Sequence, residues 1–354
     1  MKNNIYINGM GSISAQDNEM IFTGRVKEYK QNIFPAIDPD YKKFIAPMAL
    51  RRMSKAVKMG FTAAKMALNE TGISVPDAIV TGTGQGCKQD TEKFLEEMLA
   101  QDENLLSPTS FIQSTHNTVG GQIALNLKCN AYNLTYTQNS GSLESALIDA
   151  QLLFRESSKG LKILAGGVDE ISPTITKFLY RDDQLKQEEI VNTRLYDNHT
   201  PGTITSEGAH FFLLSSEKDQ TTYSRLIDVA LFHANNSSEI LDNINKILLS
   251  NNLVIEDIDL MILGNNGDSR YDHYYIDLQQ GAFDQIPQIC YKHLVGDYNT
   301  VSGYAIWLGS RILQSGNLPG YVKDKIKTHK RIRNILIYNH YLGENHSIIL
   351  LGAA

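Results

Sequence analysis

Short apolar runs that close on glycine alternate with amphipathic stretches along the chain, and this rhythm restricts the fold more than any other feature. Residues 78–82 (AIVTG), 161–165 (LKILA, closed by Gly166-Gly167) and 259–263 (DLMIL, closed by Gly264) are too short for helices and predict buried strands. Further strands are predicted at 4–10, 133–137, 208–215, 223–231, 333–338 and 346–352. Helices are predicted at 51–72, 91–102, 119–128, 140–156, 237–251 and 302–315, while 105–118 reads as irregular. In the first helix Met53, Val57, Phe61, Ala64 and Leu68 form the apolar stripe, and Gly72 is the expected C-terminal cap. The helix at 140–156 places Leu143, Ala146, Leu147, Ala150 and Phe154 on one broad face. Strands and helices in alternation define a layered α/β fold and exclude an all-β one. The polar stretch around 216–224 divides the chain into an N-terminal half, 1–220, and a C-terminal half, 221–354.

Composition removes several function classes. A net charge of −6 argues against nucleic acid as a partner, because phosphate neutralisation wants excess Lys and Arg. Three cysteines, Cys87, Cys129 and Cys290, make no disulfide framework and read as small buried hydrophobes. No apolar run reaches the roughly 18 residues of a membrane span, and MKNNIYINGMG lacks a signal-peptide core, so a cytoplasmic protein is expected. The glycine-rich GTGQG at 82–86 fits neither a dinucleotide nor a P-loop fingerprint and reads as a close-packed turn. The histidines are scattered, and Asp268, Arg270, Asp272 and His273 read as a polar loop, so no metal or cofactor is expected.

The segment Thr135-Tyr136-Thr137-Gln138-Asn139-Ser140-Gly141-Ser142-Leu143 resembles the nucleophile region of the β-ketoacyl-acyl carrier protein synthases, where a strand ends in cysteine before a small-residue turn and a helix. INGMGSIS at 7–14, AGG at 165–167, EGAHFFLL at 207–214 and TYSRLIDV at 222–229 resemble other family segments in the family's order. Asn339, Gly343, Asn345 and Ser347 loosely follow its glycine-rich terminal loop, with residues missing. The resemblance implies a thiolase-like fold: two pseudo-repeated halves in α-β-α-β-α layers, usually dimeric.

It also implies which positions would do chemistry. Active members use a cysteine and two histidines; here Gln138 stands for the cysteine. Gly264-Asn265-Asn266-Gly267-Asp268 puts Asn266 at the first histidine, and Lys292-His293-Leu294-Val295-Gly296-Asp297 keeps Lys292 but puts Asp297 at the second. An amide cannot attack a thioester, and a carboxylate repels a developing enolate oxygen. Ser140 is expected to cap the following helix and to act as nucleophile only if a base activates it. His116, in the loop 113–118, is expected to be a buried, hydrogen-bonded histidine at the pocket or partner contact, and His293 a polar loop residue. Phe111, Tyr136, Phe154 and Met66 are candidate tunnel-lining groups, each with core packing as its plainer role.

Degenerate homologues of this kind pair with an active synthase as chain length factors. His116-Asn117-Thr118 followed by Gln122-Ile123-Ala124-Leu125 resembles the subclass found beside aryl polyene or flexirubin-type synthases. The expected partners are therefore an active ketoacyl synthase subunit in a heterodimer, or a second copy in a homodimer, together with acyl carrier protein. Two other classes remain open: an active 3-oxoacyl synthase or malonyl decarboxylase with unorthodox residues, and a stand-alone acyl or acyl-carrier binding protein.

Overall fold

The computed structural model describes residues 4–104, 106–157, 160–321 and 331–354. Its strands are β1 (Tyr6–Ile13), β2 (Ala78–Gly82), β3 (Tyr132–Tyr136), β4 (Lys162–Asp169), β5 (Gly208–Ser215), β6 (Ser224–His233), β7 (Leu260–Leu263), β8 (Gln288–Cys290), β9 (Asn334–Tyr341) and β10 (Asn345–Gly352). Its helices are α1 (Asn18–Phe22), α2 (Pro47–Leu50), α3 (Lys55–Thr71), α4 (Lys88–Ala100), α5 (Pro108–Gln113), α6 (Thr118–Leu127), α7 (Ser142–Glu156), α8 (Pro173–Arg181), α9 (Ser237–Ser250), α10 (Asp272–Gln280), α11 (Lys292–Val295) and α12 (Ser302–Ser315).

The strand order is β3-β2-β4-β5-β1-β6-β10-β9-β7-β8. Read outward from the seam between β1 and β6, each arm runs first strand, fifth, fourth, second, third. The ladder senses repeat as well: β2 is parallel to β3 and β4, as β7 is to β8 and β9, whereas β5 and β10 are antiparallel to both neighbours. The seam itself is two residue pairs, Tyr6 with Arg225 and Ile7 with Ser224.

Helices complete the layers. α3 packs on β1, β4 and β5 outside the first arm, and α9 packs on β6 outside the second. α7 touches β2 and β4 of the first arm and β6 of the second, while α12 touches β1 and β5 of the first and β9 and β10 of the second. These two helices are the central layer, so the largest apolar cluster draws residues from both arms. This is the α-β-α-β-α arrangement that the family resemblance implies.

Local sequence explains the close packing. The Ser54 hydroxyl caps α3 at Val57 N, and Gly72 ends it in the left-handed conformation at φ 68°. α3 lies against β1 where that strand has glycine. A Cβ on Gly9 would sit 2.1 Å from the Ala67 carbonyl oxygen, and one on Gly11 1.9 Å from that of Ala63.

Four differences from the sequence reading have physical causes. The span 105–118 contains α5, announced by the Ser107 cap and Pro108 at its first position. α8 begins in the same way at Ser172-Pro173. α7 buries Ser142, Glu144, Asp149 and Gln151 along with its apolar face, because sheets cover it on two sides. Asp272 and His273 open helix α10 instead of lying in a loop. Among the described residues no helix is long and apolar enough to cross a membrane.

Candidate functional site

The ends of β4 and β9, the α11–α12 segment and helix α8 enclose a cleft with ≈ 120 Å³ of water-accessible space. One water needs about 10–15 Å³ by the same kind of measure, so the cleft admits several waters or a slender chain. Lys292, Asp297, Tyr298 and Asn299 line it from the α11–α12 segment, and Asp169 and Glu170 from the end of β4. Ile171, Ile175, Leu179 and Leu185 make an apolar wall, Ser140 enters from the β3–α7 turn, and His340 and Tyr341 stand at the end of β9.

Two substituted family positions meet directly. Asn266, on the loop after β7, donates from Nδ2 to Asp297 Oδ2 at 2.8 Å. The other oxygen of Asp297 takes Lys292 Nζ at 2.8 Å. The Lys292 side chain is 1% exposed and that of Asp297 20%, so the ion pair is a sheltered one. Both carboxylate oxygens are thus occupied, and the buried Lys292 is neutralised by Asp297. The loop carrying Asn266 is fastened from below by Lys186, which sequence reading missed. Its buried ammonium donates to Gly267 O at 2.7 Å and Thr200 O at 2.6 Å, and burial lowers its pKa.

Gln138 does not line the cleft. It is exposed, and its Oε1 accepts from Ser145 Oγ at 2.9 Å, folding the amide over the first turn of α7. Ser140 lines the cleft but is not the helix cap that sequence predicts. It lies in a 3-10 turn, Asn139–Gly141, and Ser142 makes the turn contacts by accepting from Gln138 N and donating to Asn139 O. Among the described residues no imidazole or carboxylate bonds the Ser140 hydroxyl, so it has no base.

The remaining candidates scatter. His116 is exposed within this chain, not buried, and its Cα stands over Gly86. Phe111 is 57% exposed and rests on Phe94, with ring centroids 5.5 Å apart. Tyr136 packs half-buried on the central core, Phe154 is plain core, and Met66 faces β1 on the outer layer. His293 is in helix α11, not a loop, with its ring against Tyr196 and Tyr321. The GTGQG turn is close-packed as expected. Asp169 accepts from Gly84 N and Gln85 N, which leaves those amides no capacity for a phosphate. Burial pushes Cys87 and Cys290 up to about 12, so neither is a thiolate near neutral pH.

The terminal loop is short. β9 and β10 are joined by Leu342-Gly343-Glu344 alone, with Leu342 at φ 52° and Gly343 at φ 69°. The connection is a hairpin turn that starts from Tyr341, a residue lining the cleft.

Glu144 is a further group that sequence did not mark. It is fully buried on α7, accepts from Ser347 Oγ at 3.1 Å, and is raised by burial to about 7, against the pull of Ser302, Ser347 and Lys292. The folded state therefore holds this proton more tightly than the unfolded chain. Its contribution to stability is full below the ordinary carboxyl range near 4.5 and is lost as pH rises through about 7. Glu144→Gln is expected to remove that loss: denaturant unfolding should show it gaining on the wild type from pH 6 to pH 8. A constant difference across that range would show that Glu144 does not titrate there.

Comparison with known proteins agrees with this geometry. Residues 27–190 match the model of the β-ketoacyl synthase N-terminal domain. A comparison with curated protein sequences returns no match. Among solved structures, the ishigamide ketosynthase/chain length factor aligns at TM-score 0.81 and 17% identity over 100% of both chains. A β-ketoacyl synthase from Burkholderia phymatum aligns at 0.79 and 15%, again over 100% of both. The complex of the ketosynthase ApeO with its chain length factor ApeC from Xenorhabdus doucetiae aligns at 0.75 and 15%, over 99% of this chain and 98% of that one. The chain is thus β-ketoacyl-synthase-like in sequence over 27–190, and over its whole length it has the thiolase-like fold of ketosynthases and chain length factors.

Proposed function

We propose that this chain is a non-condensing, chain-length-factor-like subunit that pairs with an active ketosynthase in acyl or polyketide assembly on acyl carrier protein, and does so in the cytoplasm. The observation that carries the reading is the closed set Asn266–Asp297–Lys292: a ketosynthase-type fold whose second histidine position is filled by a carboxylate tied to a buried lysine. With an amide at the nucleophile position as well, the matched positions supply neither the attacking thiol nor the two imidazoles of the family mechanism.

The surface supports a partner. β3 ends the first arm and, among the described residues, pairs with β2 alone, so one of its edges has no described strand beside it. Tyr132 and Leu134 on this strand are exposed, as are Leu125, Phe111 and Ile112 on the neighbouring helices. An open, apolar strand edge is a liability unless something covers it. Gln138, just after this strand, and His116 are exposed as well.

Co-expression with a synthase carrying the Cys-His-His set is expected to give a co-purifying heterodimer with condensing activity. Leu134→Glu, changed at an exposed site, is expected to abolish co-purification while leaving the unfolding free energy within about 0.5 kcal/mol of wild type. A chain that co-purifies with no such synthase, or condenses by itself, would overturn the reading.

A further inference from the structure

Helices α4 and α5 pack on each other as a hairpin, and the base of that hairpin is fastened to the body. Gln89 N donates to Glu170 Oε1 at 2.9 Å, Gln89 Nε2 to Ile171 O at 2.7 Å, and Thr91 Oγ1 to Ser114 O at 2.9 Å. Glu92 accepts from Ser172 Oγ and from Thr174 N. Beyond Glu92 the two helices rest on one another through Phe94 and Phe111. The hairpin is therefore an arm with a fixed root.

Not one residue of α4 or α5 is fully buried. A helix of α4's 13 residues is marginal alone in water and owes its stability to packing an amphipathic face. α4 instead shows water Leu95 and, one turn on, Leu99, which is 77% exposed. Phe111 and Ile112 on α5 are exposed too. Large apolar groups left uncovered on one two-helix arm mark a surface for another molecule.

Charge says what kind of molecule. Residues 88–103 hold six carboxylates, Asp90, Glu92, Glu96, Glu97, Asp102 and Glu103, against two lysines. Glu92 is spent inward on Ser172, and Lys93 is paired with Glu97 at 3.9 Å. Glu96, Asp102 and Glu103 are exposed and make no ion pair among the described residues, so the outward charge is negative. The turn that carries the last two is closed by Glu103 N donating to Met98 O at 2.9 Å. An amphipathic helix meant for a lipid surface carries Lys and Arg on its polar face, which is the opposite sign. A protein surface with an apolar centre and a Lys or Arg rim fits the arm. A second copy of this chain brings the same acidic arm and the same net charge of −6. It also brings Arg51 and Arg52, exposed beside the arm's base where Gln113 Nε2 donates to Arg52 O at 2.6 Å, so self-pairing is the occupant that measurement must separate.

We infer that the α4–α5 arm seats on the synthase subunit, in an apolar site rimmed by Lys or Arg, and selects that subunit over a second copy of this chain. The inference deepens the proposed function and rests on it for the partner's identity. It makes Leu95 and Leu99 contact residues and Glu96, Asp102 and Glu103 the charges that steer the encounter.

The test measures association of the purified full chain with the Cys-His-His synthase that co-purifies with it, across a range of salt. The wild-type on-rate is expected to fall steeply as salt rises. Glu96→Gln/Asp102→Asn/Glu103→Gln keeps the shapes and removes three charges, so the on-rate at low salt should drop about tenfold and its salt dependence should flatten. Leu99→Ser should leave the on-rate alone and raise the off-rate about tenfold, the size of one uncovered aliphatic side chain. These are exposed positions, and circular dichroism checks that both variants fold. A salt-independent wild-type on-rate, which needs no variant, overturns the inference. So does pairing unmoved by both variants. A homodimer of this chain that the triple variant weakens about tenfold, with synthase pairing unmoved, assigns the arm to a second copy and overturns it as well. A chain that pairs with no synthase sinks the proposed function and the inference together, whereas one that pairs without using the arm sinks the inference alone.

Discussion

Lys292→Met is expected to lower the unfolding free energy by about 3–5 kcal/mol, the usual cost of leaving one member of a sheltered ion pair without its partner. Asp297 keeps partial solvent contact, so the value should fall toward the lower end. The double variant Lys292→Met/Asp297→Leu should recover most of the loss, because an apolar pair avoids the desolvation cost of two charges. Denaturant unfolding of the wild type, both single variants and the double closes the cycle. A single-variant cost below about 1 kcal/mol, or no recovery in the double, would show that the pair does not hold the cleft floor.

Gln138→Cys should create one reactive thiol without creating a condensing enzyme. The position is exposed and precedes α7, where the helix dipole lowers a thiol pKa. Cys87 and Cys290, both raised to about 12, and the buried Cys129 should stay unlabelled by iodoacetamide at pH 7.5, so mass spectrometry should find the new label at position 138. Acyl transfer onto that thiol is a reasonable gain. Condensation with a malonyl extender should stay at background, because Asn266 and Asp297 still supply no proton donor to the enolate oxygen. Accumulation of a condensed product by this single variant would overturn the assignment of the site as closed.

Much of the fold was legible because its signals are local. Apolar runs such as 78–82 and 208–215 match β2 and β5, and Gly72 caps α3 as its position suggests. α5 and α8 carried a readable Ser-Pro start that periodicity alone overlooks. The short elements β8 and α11 have no periodicity to detect. At the site, the substitutions at 138, 266 and 297 can be read by alignment to a motif, but their pairing cannot. That Asp297 sits between Asn266 and Lys292 depends on loops after β7 and β8 converging in space. The hydrogen bonds that join Ser12 on β1, His210 on β5 and Tyr298 span up to 286 positions, and burial of Glu144 follows from sheets on both sides of α7. Neither leaves a mark in local pattern. The family resemblance puts the loop of His116 near the site and the dimer contact and so reads it as buried, yet its face is open within a single chain.

The crossing of the two central helices governs how such a chain must be made. α7 is synthesised with the first arm but rests partly on β6, and α12 arrives late yet seals β1 and β5. On the ribosome, the first half therefore emerges with the β1 and β5 part of its inner surface bare until roughly another hundred residues have followed. Contacts so distant in sequence are slow to form. Neither half, expressed as a fragment, has the cover its inner sheet face requires, and nascent chains of this protein should depend on holdase chaperones until α12 docks.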